Sequence, residues 1–339
     1  MVTIKDVAKR AGVNPSTVSR SLKDSSSISE KTKAKVRQAM EELGYVPNVA
    51  ASQLASDLTH SVGVVFPPMT LPDRLSQPFF MEILAAINAE AQSRRFSVAI
   101  ATASSTEDLE KQVALMHKQR LVDGFVVLYS QSNDPVSHYL HEQEIPFVVV
   151  GQAQKVASQR TFVDNDNQAM GYEAVTHLQE KGHERLLFVT DDLNSTIYQS
   201  RYDGFKRGLI DFGLLSTGSA LFDRRQPETL SSLVSTIQEQ AITAIVVIDD
   251  MTAIRVMQLL SYYDLKVPDD ISILSFNNSI YTTLIHPYLT SFDIGVSRLG
   301  ESSLSALLDR IESQEVQAET ILVPFELQER ESVRNLRKR

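Results

Sequence analysis

The chain has 339 residues, of which 42% are hydrophobic and 22% charged, a composition typical of ordered globular proteins of about two domains. It contains no cysteine, which excludes disulfide scaffolds, thiol catalysis and cysteine-ligated zinc sites. No apolar run reaches the roughly 18 residues of a membrane-spanning helix, and the charged N-terminus MVTIKDVAKR is unlike a signal peptide. We therefore expect a cytoplasmic protein that does not associate with membranes.

The net charge of −9 is distributed unevenly. Residues 1–60 carry nine basic and six acidic side chains, whereas the rest of the chain carries 24 basic and 36 acidic ones. A basic head on an acidic body favours contact between the head and a polyanion. The alternative is a chance fluctuation of composition.

The sequence of the head predicts three short helices, because apolar residues recur at helical spacing in each. Their ends are marked by residues that cap, start or stop helices. These residues are Thr3, Asp6, Gly12, Asn14, Pro15, Ser29 and Gly44. Two short helices joined by a tight glycine-containing turn, followed by a third, are typical of a small DNA-reading unit.

The second helix is the candidate for base recognition. Its outward face consists of Pro15, Ser16, Thr17 and Arg20. Arginine can bond to guanine in a bidentate way, and hydroxyl side chains can bond to bases or contact a thymine methyl group. Phosphate contacts, which position a protein without specifying sequence, are predicted for Asn14, Ser19, Ser29 and Lys33. The alternative interpretation is a solvated helical cap.

The string TIKDVAKRAGVNPSTVSRSLKDSSSISEKTKAKVRQAMEELGYVPN closely resembles the headpiece of LacI-type bacterial transcription regulators. The resemblance continues to the C-terminus and covers essentially the whole chain. It implies a helix-turn-helix headpiece over residues 1–46 and a hinge over 47–60. It also implies an α/β core of two lobes, like that of periplasmic binding proteins, with a parallel sheet in each lobe.

The hinge segment NVAASQLASDLTHS is rich in alanine and serine and forms a marginal helix by itself. The resemblance implies that it folds on DNA, where the hinge helices of a dimer enter the minor groove and Leu54 wedges between base steps. Asn48 is a further candidate DNA contact. Many family members carry arginine at the position of Ser52, so one minor-groove or phosphate contact is in doubt here. The alternative is a flexible linker.

From residue 61 onward, short runs of Val, Ile and Leu alternate with helical patterns, which predicts parallel sheets covered on both faces. Strands are predicted at 62–66, 96–101, 124–129, 147–150, 186–189, 244–248 and 271–276. Helices are predicted at 80–94, 109–118, 202–212 and 253–262. The strands are too many for one sheet, and two lobes would turn their carboxyl ends toward a shared cleft. The resemblance assigns 61–160 plus 290–320 to the first lobe and 161–289 plus 321–339 to the second, with a strand near 322–327.

Catalytic chemistry is not apparent in this core. The sequence contains no glycine-rich phosphate loop and no GxSxG motif, and its seven histidines do not fall at metal-ligand spacing. We therefore expect no enzyme activity, no metal and no cofactor.

Candidate ligand-binding residues follow several predicted strands. Phe79 and Phe80 of QPFF can stack on a sugar ring, with a role in the core as the alternative. Arg201 of RYDGF matches the family motif whose arginine contacts the effector, and a surface ion pair is the alternative. Asp166 of DNDN is either a cleft residue or a helix cap. Tyr281 is a stacking candidate, with a core or surface position as the alternative.

Two departures from the family pattern change the hydrogen-bonding groups expected in this cleft. Asp249 and Asp250 stand where the family usually has an Asn-Asp pair, and Asn277 of SFNN stands where it usually has an aspartate. An amide donates and accepts, whereas a carboxylate only accepts, so we expect a neutral polyhydroxylated ligand. The strings QPFF and SFNN resemble maltose-operon repressors of low-GC Gram-positive bacteria, which implies maltose or a short maltodextrin.

The resemblance implies a repressor that binds a pseudo-palindromic operator as a homodimer and releases it when sugar binds between the lobes. The tail ESVRNLRKR lacks apolar heptads, so a tetramerising coiled coil is not expected. Two alternatives remain open. One is a catabolite-control-type regulator whose effector is a phosphorylated carrier protein, and the other is a sugar receptor without DNA function.

Overall fold

A computed structural model describes residues 2–22, 25–45, 58–68, 77–131, 133–152, 160–313 and 317–337. The chain divides into two compact units, Met1–Thr59 and His60–Arg339. The predicted hinge contacts Asn48 and Leu54 lie outside the described residues. Within the described ranges, every helix is too short or too polar to span a bilayer.

The first unit contains three helices, as predicted: α1 (Ile4–Ala11), α2 (Pro15–Leu22) and α3 (Glu30–Leu43). They share a small apolar core, whose buried members are Val7, Ala8, Val18, Val36 and Ala39. Because each helix contributes at least one of these side chains, the three helices stabilise one another.

Local signals fix the ends of these helices. The carboxylate of Asp6 accepts hydrogen bonds from the backbone N and Oγ1 of Thr3, at 2.8 and 2.7 Å. These bonds lower the pKa of Asp6. Gly12 and Gly44 end α1 and α3 with φ of 68° and 61°, in the left-handed region that glycine adopts without strain.

The second unit is built on two six-stranded sheets. The first has the order β11-β5-β4-β3-β1-β2, and all its pairs are parallel. Its strands are β1 (Ser61–Val65), β2 (Ser97–Ala101), β3 (Gly124–Val127), β4 (Phe147–Val150), β5 (Thr161–Asp164) and β11 (Thr320–Leu322).

The second sheet has the order β12-β10-β9-β8-β6-β7 and is parallel except for the antiparallel pair β10–β12. Its strands are β6 (Leu186–Thr190), β7 (Ser219–Leu221), β8 (Ala244–Val247), β9 (Ser272–Phe276), β10 (Thr290–Asp293) and β12 (Glu326–Gln328). The predicted α/β core with two mostly parallel sheets is thus confirmed.

Helices connect the strands of both lobes. Those packed with the first lobe are α4 (Pro78–Ser93), α5 (Thr106–Lys118), α6 (Pro135–Glu142) and α11 (Val296–Glu312). Those of the second lobe are α7 (Asn167–Glu180), α8 (Thr196–Asp211), α9 (Pro227–Glu239), α10 (Asp250–Tyr262) and a 3₁₀ helix (Ile280–Thr283).

The chain passes between the two sheets three times, after β5, after β10 and between β11 and β12. The predicted lobe boundaries at 160, 289 and 320 each fall a few residues before these crossings. β5, which the resemblance assigned to the second lobe, pairs with β4 of the first, and β10, which it assigned to the first lobe, pairs with β9 of the second. Both strands are short and partly polar, so no apolar run marks them.

Candidate functional site

The headpiece presents the predicted base-reading residues on one surface of α2. Pro15, Ser16 and Arg20 are exposed and Thr17 is half-buried, whereas Val18 is fully buried. Arg20 is the only charged side chain of α2. This helix therefore offers a guanidinium and hydroxyls on its outer face, the groups that read base edges in a major groove.

The residues predicted for phosphate contacts fall into two groups. Asn14 and Ser29 are exposed and Ser19 is half-buried, and the Oγ of Ser29 accepts from the backbone N of Thr32 at 3.3 Å as the N-cap of α3. Lys33 is less accessible than the prediction of a phosphate contact implies. Its side chain is 6% exposed and its Nζ lies 2.8 Å from the carboxylate of Glu30.

The core contains a pocket where residues of the two lobes meet. Its cavity volume is about 10 Å³, room for about one water molecule, so a larger ligand enters only when the lobes move apart. Its lining residues are Gln77, Pro78, Phe79, Glu82, Asp249, Asp250, Met251, Asn277, Ser279, Tyr281 and Val296. The carboxyl ends of β8 and β9 lead into it, as expected for ligand sites of parallel sheets.

Four of the predicted ligand-binding residues meet at this pocket: Phe79, Asp249, Asn277 and Tyr281. One carboxylate oxygen of Asp249 accepts from the backbone N of Thr252 at 2.7 Å and so caps α10. The other accepts from Nε2 of Gln77 at 3.4 Å, from the opposite lobe. A change in the separation of the lobes would therefore change the hydrogen bonding of Asp249.

Three predicted residues do not line the pocket: Phe80 and Asp166, described first, and Arg201. Phe80 packs against Phe66, with ring centroids 5.6 Å apart, and belongs to the hydrophobic core. Asp166 is exposed and caps α7 by accepting from the backbone N of Ala169 at 2.9 Å. In both cases the structural alternative describes the observed position.

Arg201 lies behind the pocket rather than in its lining. Its side chain is 4% exposed, and its guanidinium lies 4.2 Å from the centre of the Phe276 ring. Nε donates to Oδ1 of Asn167 at 2.9 Å, and Nη1 donates to the carbonyl of Ile248 at 2.8 Å. Burial lowers the pKa of Arg201 to about 10, so the group remains charged at neutral pH. It holds the strand end that precedes Asp249.

Asp250 is a second buried charge beside the pocket, 2% exposed. Its carboxylate accepts from Oγ of Ser275, from Oγ of Ser291 at 2.8 Å and from the backbone N of Ser279 at 2.6 Å. Burial raises its pKa to about 6, although these donors act in the opposite direction. Asp250 thereby joins α10, β9 and β10 at the pocket floor.

The stability of the core should depend on pH through Asp250. The pKa of Asp250 is about 6 in the folded chain, whereas an aspartate in an unfolded chain has its ordinary value of 3.8. Between these pH values the folded chain therefore keeps a proton that the unfolded chain releases. Raising the pH through this range therefore destabilises the fold. The free energy of unfolding of the wild type, relative to Asp250→Asn, should fall by roughly 2–3 kcal/mol between pH 4 and pH 7. Urea unfolding at both pH values measures this difference, and parallel pH profiles would contradict it.

The described pocket lining is acidic. It contains the carboxylates of Glu82, Asp249 and Asp250 and neither lysine nor arginine. Burial and the charge of Asp293 raise the pKa of Glu82. Across the described ranges, no three histidine, aspartate or glutamate side chains are grouped so that they could hold a metal ion. A ligand that donates hydrogen bonds and carries no negative charge suits this lining.

Sequence reasoning missed several lining residues. Gln77 stands in the QPFF string, and its polar side chain ahead of a helix could have signalled a cleft residue. Asp250 was noted only as a departure from the family pattern. Met251, Ser279 and Val296 carry no local signal, because only the tertiary arrangement brings them to the pocket.

A helix-turn-helix headpiece and a two-lobed core with a cleft define a class of ligand-responsive DNA-binding regulators. Comparison with known proteins agrees. The pattern of the bacterial regulatory proteins of the lacI family matches residues 3–48, and that of the periplasmic binding protein-like domain matches residues 175–333. The transcriptional regulator MalR of Streptococcus pneumoniae is 31% identical over 315 residues, which cover 91% of this chain and 93% of MalR.

Solved structures are similar over nearly the full length. The lac repressor dimer bound to operator and the anti-inducer ONPF has a TM-score of 0.78 at 25% identity, covering 98% of this chain and 99% of that one. The complex of the regulator CelR with cellobiose has a TM-score of 0.73 at 25% identity, covering 98% and 100%. The chain belongs to the LacI family of DNA-binding transcription regulators, and it is a regulator rather than an enzyme.

Proposed function

We propose that this regulator is a cytoplasmic repressor that binds a pseudo-palindromic operator as a homodimer and releases it when maltose or a short maltodextrin enters the cleft. The observation that carries this proposal is the pocket between the lobes, where an aromatic ring, an amide and carboxylates converge. Sugar hydroxyls suit such acceptors, and aromatic faces suit pyranose rings. The similarity to a probable maltose operon transcriptional repressor of known structure, 26% identical and covering 82% of this chain, and to the CelR–cellobiose complex supports a maltose-type disaccharide.

A dimer would double the few base contacts that one headpiece can make, on two half-sites about one helical turn apart. An exposed apolar surface of the first lobe supports a dimer face. Met81 and Ile100 are exposed there, beside Leu84 and Val98, on α4 and the edge strand β2. Contiguous exposed apolar residues of this kind mark interaction sites, and the operator-bound lac repressor is a dimer.

Operator binding with and without sugar tests the proposal. A fluorescent duplex from the region upstream of the protein's own gene is titrated with the full chain, and fluorescence anisotropy reports binding. We expect maltose to release the duplex, and because coupling is reciprocal, the operator should weaken maltose binding by the same factor. Tight binding that maltose leaves unchanged would discard maltose. Longer maltodextrins and a phosphorylated carrier protein would then be titrated in turn, the latter being the effector of the catabolite-control alternative.

A pair of tyrosine variants separates the pocket from the surrounding loop. Tyr281 lines the pocket, whereas Tyr288, a half-buried tyrosine seven residues further on, stacks on His286 with ring centroids 4.1 Å apart. Tyr281→Ala should weaken the maltose response, and Tyr288→Ala should preserve it. Equal responses of the two variants would argue against a sugar site at this pocket.

Arg20→Ala tests base reading by α2. A bidentate arginine–guanine contact contributes about 1–3 kcal/mol of discrimination, so the variant should lose that much affinity for the operator and little for random DNA. The same titration on operator and scrambled duplexes measures both. Lys31→Ala, at an exposed cation of α3, is the matched control and should not change the ratio. Equal losses of Arg20→Ala on both duplexes would instead assign Arg20 to phosphate contact.

A further inference from the structure

The three chain crossings between the lobes meet at one buried asparagine. Asn165 lies in the first crossing, directly after β5, and is 4% exposed. Its Nδ2 donates to the carbonyl of Ile294 in the second crossing and to that of Val323 in the third, both at 2.9 Å. An asparagine amide has two donor hydrogens, so each hydrogen serves one neighbouring crossing.

Backbone bonds complete this junction. The backbone N of Val323 donates to the carbonyl of Asp164 at 2.8 Å, and the backbone N of Asn165 donates to Oδ1 of Asp164 at 2.8 Å. Gly295, at the second crossing, has φ of 63°, and a Cβ there would lie 3.4 Å from Cγ1 of Val323. The crossings are therefore packed against one another and are not three independent linkers.

A chain of hydrogen bonds joins this junction to the ligand pocket. Oδ2 of Asp164 accepts from Nδ2 of Asn167 at 2.8 Å, and Oδ1 of Asn167 accepts from Nε of Arg201 at 2.9 Å. Arg201 then donates to the carbonyl of Ile248, whose neighbour Asp249 lines the pocket. A shift of Asp249 can thus reach the crossings through buried polar groups.

We propose that Asn165 is a positioning residue that joins the three crossings into a single hinge and thereby fixes the angle between the lobes. When one lobe rotates against the other, the backbone dihedrals of the crossings must change together. Without the amide of Asn165, two buried carbonyls lose a donor and each crossing can bend separately. The lobes would then adopt a range of angles, and ligand binding would no longer stabilise a single one of them. The proposal deepens the ligand control proposed above, but its test requires no ligand.

The cysteine-free chain suits a direct distance measurement, because two introduced cysteines are the only thiols. Ser104 and Arg224 are exposed just beyond the carboxyl ends of β2 and β7, the strands furthest from β11 and β12 in their sheets. Spin labels at Ser104→Cys and Arg224→Cys, in a doubly labelled chain assembled with an excess of the cysteine-free chain so that a dimer carries one labelled subunit, should report one narrow distance distribution. In the Asn165→Ala background this distribution should broaden about twofold or shift, since the crossings bend independently.

Asn278→Gly is the matched control. The amide of Asn278 donates to Oδ2 of Asp293 and accepts from Nη2 of Arg330, at 3.0 and 2.6 Å, and both partners belong to the second lobe. Its φ of 49° is one that glycine tolerates. This variant loses three side-chain hydrogen bonds, the third being the one that Oγ1 of Thr282 donates at 3.4 Å, yet its label distance should match the wild type.

A distance distribution unchanged by Asn165→Ala overturns the proposal, as does equal broadening in the control. If Asn165→Ala does not fold, Asn165→Ser is used, because a hydroxyl keeps one donor, and an intermediate broadening is expected. A wild-type distribution in Asn165→Ser would then overturn the proposal. Adding maltose afterwards tests the proposed effector separately: a hinge defect together with an inactive maltose leaves the role of Asn165 intact and discards only the sugar.

Discussion

Replacing Arg201 with alanine is expected to lower the free energy of unfolding of the core by about 3–5 kcal/mol, the range for removing one partner from a buried charge network. The guanidinium is fully buried and is attracted by the carboxylates of Asp164, Asp249 and Asp250. Its removal leaves these acids without a counter-charge, and the carbonyl of Ile248 and the amide of Asn167 each lose a hydrogen bond.

Urea unfolding followed by circular dichroism measures this loss, since the chain contains no tryptophan for fluorescence. Arg207→Ala on the same helix is the control. Its side chain is 79% exposed, with a carboxylate of Asp211 only at 3.9 Å, so a change within about 0.5 kcal/mol is expected. If Arg201→Ala keeps wild-type stability and loses only the maltose response, Arg201 contacts the sugar directly, as the RYDGF motif suggests.

The headpiece could be predicted almost to the residue because its signals are local. The Thr3–Asp6 pair, Pro15 and Gly44 each act on the backbone of their own turn. The orientation of a side chain is a different matter. Lys33 was expected at the surface, but it lies on the buried side of α3, three residues before the core residue Val36. The sequence analysis predicted a phosphate contact from the charge of Lys33. Its burial depends instead on its position on the helix.

The core strands that were predicted are continuous apolar runs, such as β3 and β8, and their burial on both faces explains the pattern. The strands that were missed lie at the crossings or at an edge. β5 reads Thr-Phe-Val-Asp and β7 has three half-buried residues. Both strands are short and lack a continuous apolar run, so no local pattern specifies them.

Sequence reasoning correctly placed at the pocket the residues that follow the end of a strand. It misplaced residues whose position depends on which face of a helix is buried. Asn277 comes directly after β9 and Asp249 two residues after β8, and both reach the pocket. Arg201 belongs to a helix whose inner face could not be told from sequence. Its position follows from the packing of α7 on α8, which two glycines permit.

Those two glycines give the second large expected effect. A Cβ on Gly171 of α7 would lie 1.9 Å from the carbonyl oxygen of Arg201, and a Cβ on Gly204 of α8 would lie 1.9 Å from that of Gln168. Neither neighbour can rotate away, because both contacts are to helix backbone. The axes of α7 and α8 must therefore separate if either glycine gains a methyl group, which pulls Arg201 away from Asn167.

Gly171→Ala and Gly204→Ala should each lower the free energy of unfolding by about 3 kcal/mol or more, at the upper end of overpacking effects. A decrease in the free energy of unfolding would indicate overpacking, because alanine normally stabilises a helix interior by roughly 1 kcal/mol relative to glycine. Gly213→Ala is the control: no atom lies within 4 Å of its Cβ position, and its φ of 65° predicts only the roughly 1–2 kcal/mol of left-handed strain. Urea midpoints of the three variants decide the matter. A stabilised Gly204→Ala would mean that α7 and α8 are not in backbone contact, and the buried position of Arg201 would then lose its structural basis.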